Sequence, residues 1–155
     1  MLAQKEKQKI EEFFQALDKV SHDPGDLYDL GLIVSDRIKI KDLINSSSYF
    51  KKADVFNLSR QVHPDEFLKT LVKAFRNKKW LLVELIDGYL PARIYNQLRL
   101  LSIGNRLQIF NLAGEEEINL KMPSESRVVF FTTQSEVPKI NNPNFLKLFG
   151  PIIKI

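Results

Sequence analysis

Four short apolar segments, 30–34, 53–58, 80–86 and 127–132, set the limits on how this chain can fold. Leu30-Gly31-Leu32-Ile33-Val34 and Trp80-Leu81-Leu82-Val83-Glu84-Leu85-Ile86 are apolar at consecutive rather than alternate positions. That pattern suits a strand buried on both faces, as in a parallel sheet covered by helices. The segments between them carry helical spacing. Residues 38–44 place Ile40, Leu43 and Ile44 on one short helix. Pro64 opens a longer one, with Asp65 and Glu66 at the positive end of its dipole and Phe67, Leu68, Leu71, Val72 and Phe75 on its buried face. Pro91 opens another, with Ile94, Leu98 and Leu101 on one face and Gly104 as its expected cap. Helices that alternate with buried strands imply a three-layer α/β/α fold around a mostly parallel sheet of about five strands.

Two features depart from the alternation. Residues 107–112 and 118–122 flank Ala113-Gly114-Glu115-Glu116-Glu117, which predicts an inserted β-hairpin with the three glutamates at its tip. At the front, residues 4–20 form an amphipathic helix with Ile10, Phe13, Phe14, Leu17 and Val20 on one stripe, followed by turn formers over 21–26. It serves either as an appendage packed on the main body or as a partner-binding helix. The expected organisation is one domain over 1–155, with the helix and turn at 1–26 and the α/β core at 27–155. A last short strand is expected at 151–155.

Composition removes several classes of function. There is no cysteine, which excludes disulfides, thiolate metal sites and cysteine nucleophiles. No run of about eighteen apolar residues exists to span a membrane, and the charged beginning of the chain lacks the apolar centre of a secretory signal. A cytoplasmic protein with no membrane association is the expectation. The net charge of +4 is mild, and its basic residues (Lys51-Lys52, 76–79, Arg93, Arg99, Arg106) are scattered rather than arranged in a stripe. Nucleic-acid binding of a replication or defence type is therefore the alternative to a protein partner.

From the second strand onward, the order of features resembles the core of an AAA+ domain, nearest to the dynein, midasin and MoxR-like branch. Phe56-Asn57-Leu58-Ser59-Arg60-Gln61 resembles that family's second strand, and Trp80-Leu81-Leu82-Val83-Glu84 its Walker B strand. Residues 104–123 resemble the branch's inserted hairpin, and 127–133 the sensor-1 strand. Asn142-Pro143 through Ile153 resembles the final helix and strand of the core. The likeness covers about residues 30–155. It implies a P-loop NTPase-type sheet, with nucleotide at the carboxyl ends of the strands.

The resemblance also names what catalysis requires, and most of it is missing. A phosphate loop needs glycines, so that backbone amides can approach the phosphates, and a Lys-Ser or Lys-Thr pair. The turn after the first strand instead reads Val34-Ser35-Asp36-Arg37-Ile38-Lys39, without glycine and with an acid facing the phosphate position. Glu84 stands at the first Walker B acid, but Leu85 stands at the second and cannot orient water. Thr133 or Gln134 can serve as sensor 1. Leu148, beside Lys147, falls where the arginine finger belongs, and the small helical lid that follows such cores is not expected. The resemblance thus implies a degenerate AAA+-like domain without cofactor or catalytic residues. It would act as a protein-interaction or assembly module, with a protein partner or a homo-oligomer.

The remaining candidates are few. Glu84, Asp87, Thr133 and Gln134 are the residual nucleotide or metal positions. Burial inside an apolar strand would raise the pKa of Glu84, while a strand-end acid paired with Lys or Arg is its structural alternative. Glu84, Asp87 and Thr133 are also the residues on which an unrecognised small-molecule enzyme would rely. Glu115, Glu116 and Glu117 are possible partner contacts. His22 and His63 lack a second imidazole at ligand spacing, and no metal site is expected. Ser46-Ser47-Ser48 reads as a helix-terminating loop, and Trp80 as core rather than a stacking platform for bases.

Overall fold

The computed structural model describes residues 3–18, 30–50, 52–140 and 142–155. Helix α1 (Gln4–Asp18) precedes strand β1 (Leu30–Val34), helix α2 (Ile40–Ser46), strand β2 (Asp54–Leu58), helix α3 (Pro64–Arg76) and strand β3 (Leu81–Leu85). Helix α4 (Ala92–Gly104), the hairpin strands β4 (Arg106–Leu112) and β5 (Glu115–Lys121), strand β6 (Val128–Thr132) and strand β7 (Ile152–Lys154) follow. The main sheet has five strands in the order β2-β3-β6-β1-β7, and every pairing in it is parallel. The hairpin forms a separate antiparallel pair. The fold is α/β, with helices on both faces of the sheet, as the alternation of buried strands and helices predicts.

The two faces hold separate cores. Leu30, Leu32, Val34, Leu81, Val83, Val128 and Phe130 meet α3, α4 and the inner side of the hairpin. Ile33, Leu82, Val129 and Phe131 meet α1, α2 and Phe50. Helix α1 is therefore structural: Ile10, Phe14 and Leu17 are fully buried, so its apolar stripe is not available to a partner. Residues 19–29, including His22 and the predicted end of this helix, lie outside the described residues. Phe13 sits so close to the sheet that a Cβ added at Gly31 would lie 2.6 Å from its Cζ. Trp80 is part of this second core, stacked on Tyr49 with ring centroids 5.0 Å apart and edge-on to Phe14.

Arg127 fastens α1 to the sheet. Its side chain is buried, and Nε donates to the Leu17 carbonyl at 2.9 Å while Nη2 donates to that of Asp18 at 3.3 Å. Nη1 donates to the Ser126 and Ser124 carbonyls at 2.7 and 3.2 Å. A cation placed on the last carbonyls of a helix satisfies acceptors that have no intrahelical donor and opposes the negative end of the dipole.

Several local expectations need correction. Helix α4 is ended by Asn105, which takes the left-handed conformation (φ 56°), while Gly104 is the last helical residue. Asparagine is among the few side chains that tolerate this region. The hairpin turn is the pair Ala113-Gly114, with φ of 52° and 81°, closed by Leu112 opposite Glu115. Two residues of positive φ match the twist of the flanking strands. Glu115, Glu116 and Glu117 consequently lie along β5 rather than at the tip. The predicted final helix is replaced by two 3₁₀ turns, Val137–Lys139 and Phe145–Leu148. Pro138, Pro143 and Pro151 leave too little chain between helix-breaking positions for a full α-helix. Among the described residues no helix is long and apolar enough to cross a membrane.

Arg127→Met should lower stability by about 2–4 kcal/mol, because several buried carbonyls lose their donor together. Urea unfolding measures the loss, and faster amide exchange along α1 assigns it to that helix. Gly31→Ala should lower stability by about 1–3 kcal/mol through overpacking against Phe13, and Phe13→Leu in the same chain should recover part of it.

Candidate functional site

In open parallel sheets, ligands lie beyond the carboxyl ends of the strands, where the connections from neighbouring strands run to opposite sides. Here that crevice lies between β1 and β6: the chain leaves β1 for β2 on one side, and leaves β6 for β7 on the other. It opens as a cleft of ≈ 450 Å³ lined by Ser35, Asp36, Lys39, Lys41, Glu84 and Thr133 among others. The structure thus brings Glu84 and Thr133 together with the turn after β1.

The turn satisfies its own amides. Ser35 Oγ accepts hydrogen bonds from the backbone N–H of Arg37 at 3.2 Å and of Ile38 at 3.1 Å. The Ser35 N–H donates to the Thr132 carbonyl at 3.0 Å. The Lys39 N–H donates to Asp42 Oδ2 at 3.3 Å. A phosphate cradle needs such amides free and converging on one point, and here four of them already have partners within the chain. The following helix, α2, has only seven residues, so little dipole is directed at the cleft. Arg37 is engaged elsewhere, pairing with Glu6 of α1 at 3.3 Å.

Asp36 closes the crevice. Its Oδ1 accepts the backbone N–H of Gln134 at 2.8 Å, joining the turn after β1 to the turn after β6. The backbone of Gln134 is thereby bound to Asp36. The Thr133 hydroxyl is likewise engaged, lying 3.1 Å from Ser135 Oγ and accepting from the Glu136 N–H at 3.3 Å. Thr133 therefore shapes the turn that leads into the first 3₁₀ segment.

Asp87 is not part of the cleft lining that holds Glu84. Its Oδ2 accepts the Arg60 N–H at 2.8 Å and its Oδ1 accepts the Tyr89 N–H at 3.2 Å. The Arg60 guanidinium lies over the Tyr89 ring, 5.2 Å from its centroid. Asp87 is the post that ties the β2 and β3 loops together. Among the described residues no three His, Cys, Asp or Glu side chains gather as a metal site would require. His63 caps α3, its Nδ1 accepting the Asp65 N–H at 3.1 Å. Ser47 Oγ accepts the Tyr49 N–H at 3.2 Å, which agrees with a loop that ends α2.

The three hairpin glutamates differ in surroundings. Glu115 pairs with Arg76 of α3 at 3.4 Å. Glu117 accepts from Gln108 Nε2 at 3.1 Å and Asn119 Nδ2 at 2.9 Å, and these two donors hold its carboxyl below its ordinary pKa. Glu116 is exposed. No local sequence pattern marks the inner attachment of the hairpin. The buried Gln97 amide exchanges two hydrogen bonds with the Gln108 backbone, at 2.6 and 3.0 Å. Arg93 bridges Asp65 at 2.6 Å and the Phe110 carbonyl at 3.0 Å.

No family model matches the chain, and no curated protein matches it significantly.

Asp36→Ala should remove the staple between the β1 and β6 turns at a cost of about 1 kcal/mol. Hydrogen exchange at the Gln134 amide should accelerate while the amides within β6 keep their protection.

Proposed function

We propose that this chain is a non-catalytic, degenerate AAA+-like domain that acts as a protein-interaction or assembly module. One observation carries this reading. Amides at the crevice where a nucleotide would sit are already engaged by the chain's own side chains, with Ser35 holding the Arg37 and Ile38 amides and Asp36 holding the Gln134 amide. Triphosphate would have to displace these contacts and then meet the carboxylate of Asp36, with no glycine backbone to receive it. Leu85, following Glu84, supplies no acid beside the cleft, and both oxygens of Asp87 are engaged in loop bonds.

The AAA+ likeness draws support from placement. The stretches that resemble the second strand, the Walker B strand, the inserted hairpin, the sensor-1 strand and the last strand of such cores coincide in order with β2, β3, β4–β5, β6 and β7. The final helix of the resemblance has no counterpart. A sheet held this firmly presents hairpin, helix and loop surfaces that can diverge independently of any catalytic demand.

Thermal unfolding with millimolar ATP or ADP and magnesium tests these engaged amides. A nucleotide at a hundredfold its Kd adds about 2.7 kcal/mol, which raises Tm by several degrees in a chain of this size. We expect no rise and no phosphate release. Affinity capture on the immobilised chain should return a protein in stoichiometric amount. A magnesium-dependent rise in Tm, measurable turnover, or recovery of nucleic acid alone overturns the reading.

A further inference from the structure

We propose that the groove between α4 and the second 3₁₀ turn, Phe145–Leu148, docks an acidic, apolar peptide segment of a protein partner. This rests on the interaction-module reading and names its surface. The groove encloses ≈ 470 Å³, with Tyr95, Arg99 and Ile103 on one wall and Lys147 and Leu148 on the other.

Helix α3 turns Glu66, Lys69, Lys73 and Arg76 to solvent, as a surface helix should. Helix α4 instead leaves Ile103, on the groove wall, 50% exposed; Leu100, one turn before it, and Leu146, next to Lys147, are exposed beside the groove rather than in its lining. Each such side chain gains roughly 25 cal/mol per Å² when a partner covers it. The fold has no internal use for that gain, because α4 already seats Ile94, Leu98 and Leu101 in the core.

Charge selects the chemistry of the occupant. No Asp or Glu lines the groove, and neither Arg99 nor Lys147 forms an ion pair among the described residues. In the comparable groove between α3 and the hairpin an acid, Glu115, is part of the lining and pairs with Arg76, Lys69 pairs with Glu66, and of its three cations only Lys73 has no ion pair among the described residues. Two uncompensated cations beside exposed aliphatic side chains complement carboxylates interspersed with leucine-like residues. Nucleic acid fits less well, because a phosphate strand asks for a run of cations and gives Leu100 and Ile103 nothing to bury against. The chain's net charge of +4 adds a general attraction for an acidic partner.

Fluorescence anisotropy on the full chain provides the test. The probe is a fluorescein-labelled peptide of glutamate and leucine, with leucines three and four positions apart. Arg99→Glu combined with Lys147→Glu should weaken binding about tenfold or more, and Ile103→Ser should also weaken it. Lys73→Glu, in the other groove, should leave it unchanged. All of these positions are exposed, and circular dichroism checks that the fold is retained. Equal binding by wild type and the double variant overturns the proposal, as does equal binding of a lysine–leucine peptide. Binding of a single-stranded oligonucleotide that the double variant loses reassigns the groove to polyanions. Self-association abolished by Ile103→Ser reassigns it to a second copy of the chain. If affinity capture of the partner survives all three groove substitutions, the docking site fails while the interaction-module reading stands.

Discussion

The structure depends on burying β1 and β6 on both faces. Every residue of Leu30–Val34 and of Val128–Thr132 is buried, so neither strand has a side that water can cover. A sheet with such a centre needs a layer on each face. On one side α3, α4 and the hairpin provide it. On the other, α1 and the short α2 provide it, and α1 is brought close enough that β1 must carry glycine beneath Phe13. The helix that looks detachable in the sequence is thus as integral as the central strands.

The same demand for satisfied backbone groups governs the crevice above the strands. Loops that carry no ligand must still pair their amides, and this chain does so with Ser35, Asp36, Thr133 and Asp87. Of the residues that attract attention as remnants of a nucleotide site, Asp87 and Thr133 fix loops. The outer surfaces differ in chemistry: acid lies along β5, Glu66 and Lys69 pair on α3, and α4 carries exposed Leu100 and Ile103.

Strands β1, β3 and β6 were readable because double burial writes itself as consecutive apolar residues, whereas the edge strands β2 and β7 are only partly buried and stood out by their place between turns and helices. Helix α3 was readable from Pro64 and the acids after it. Turn detail was not. Ala113 adopts a positive φ that its side chain does not advertise, so the tip of the hairpin was placed too late along the chain. Pro138 and Pro143 break the segment where the resemblance implies a final helix, and 3₁₀ turns stand in its place. The place of the strand-end cleft, with Glu84 and Thr133 on it, was legible in the sequence. Its bonds were not, because Asp36 meets Gln134 across 98 residues, and nothing in the neighbourhood of either predicts the meeting.

Arg127 has a consequence for the order in which the molecule is made. The carbonyls that it holds on Leu17 and Asp18 lie 110 and 109 residues upstream. At ribosomal speeds of about 5–20 residues per second, the first helix waits on the order of 5–20 s for the residue that anchors it. The strands that form its seat, from Ile33 through Val129 and Phe131, are likewise complete only late in synthesis. During that interval Phe13, Phe14 and Leu17 have no native surface to cover them. A chaperone that shields amphipathic segments at the tunnel exit therefore has a natural client in α1 while the rest of its seat is being made.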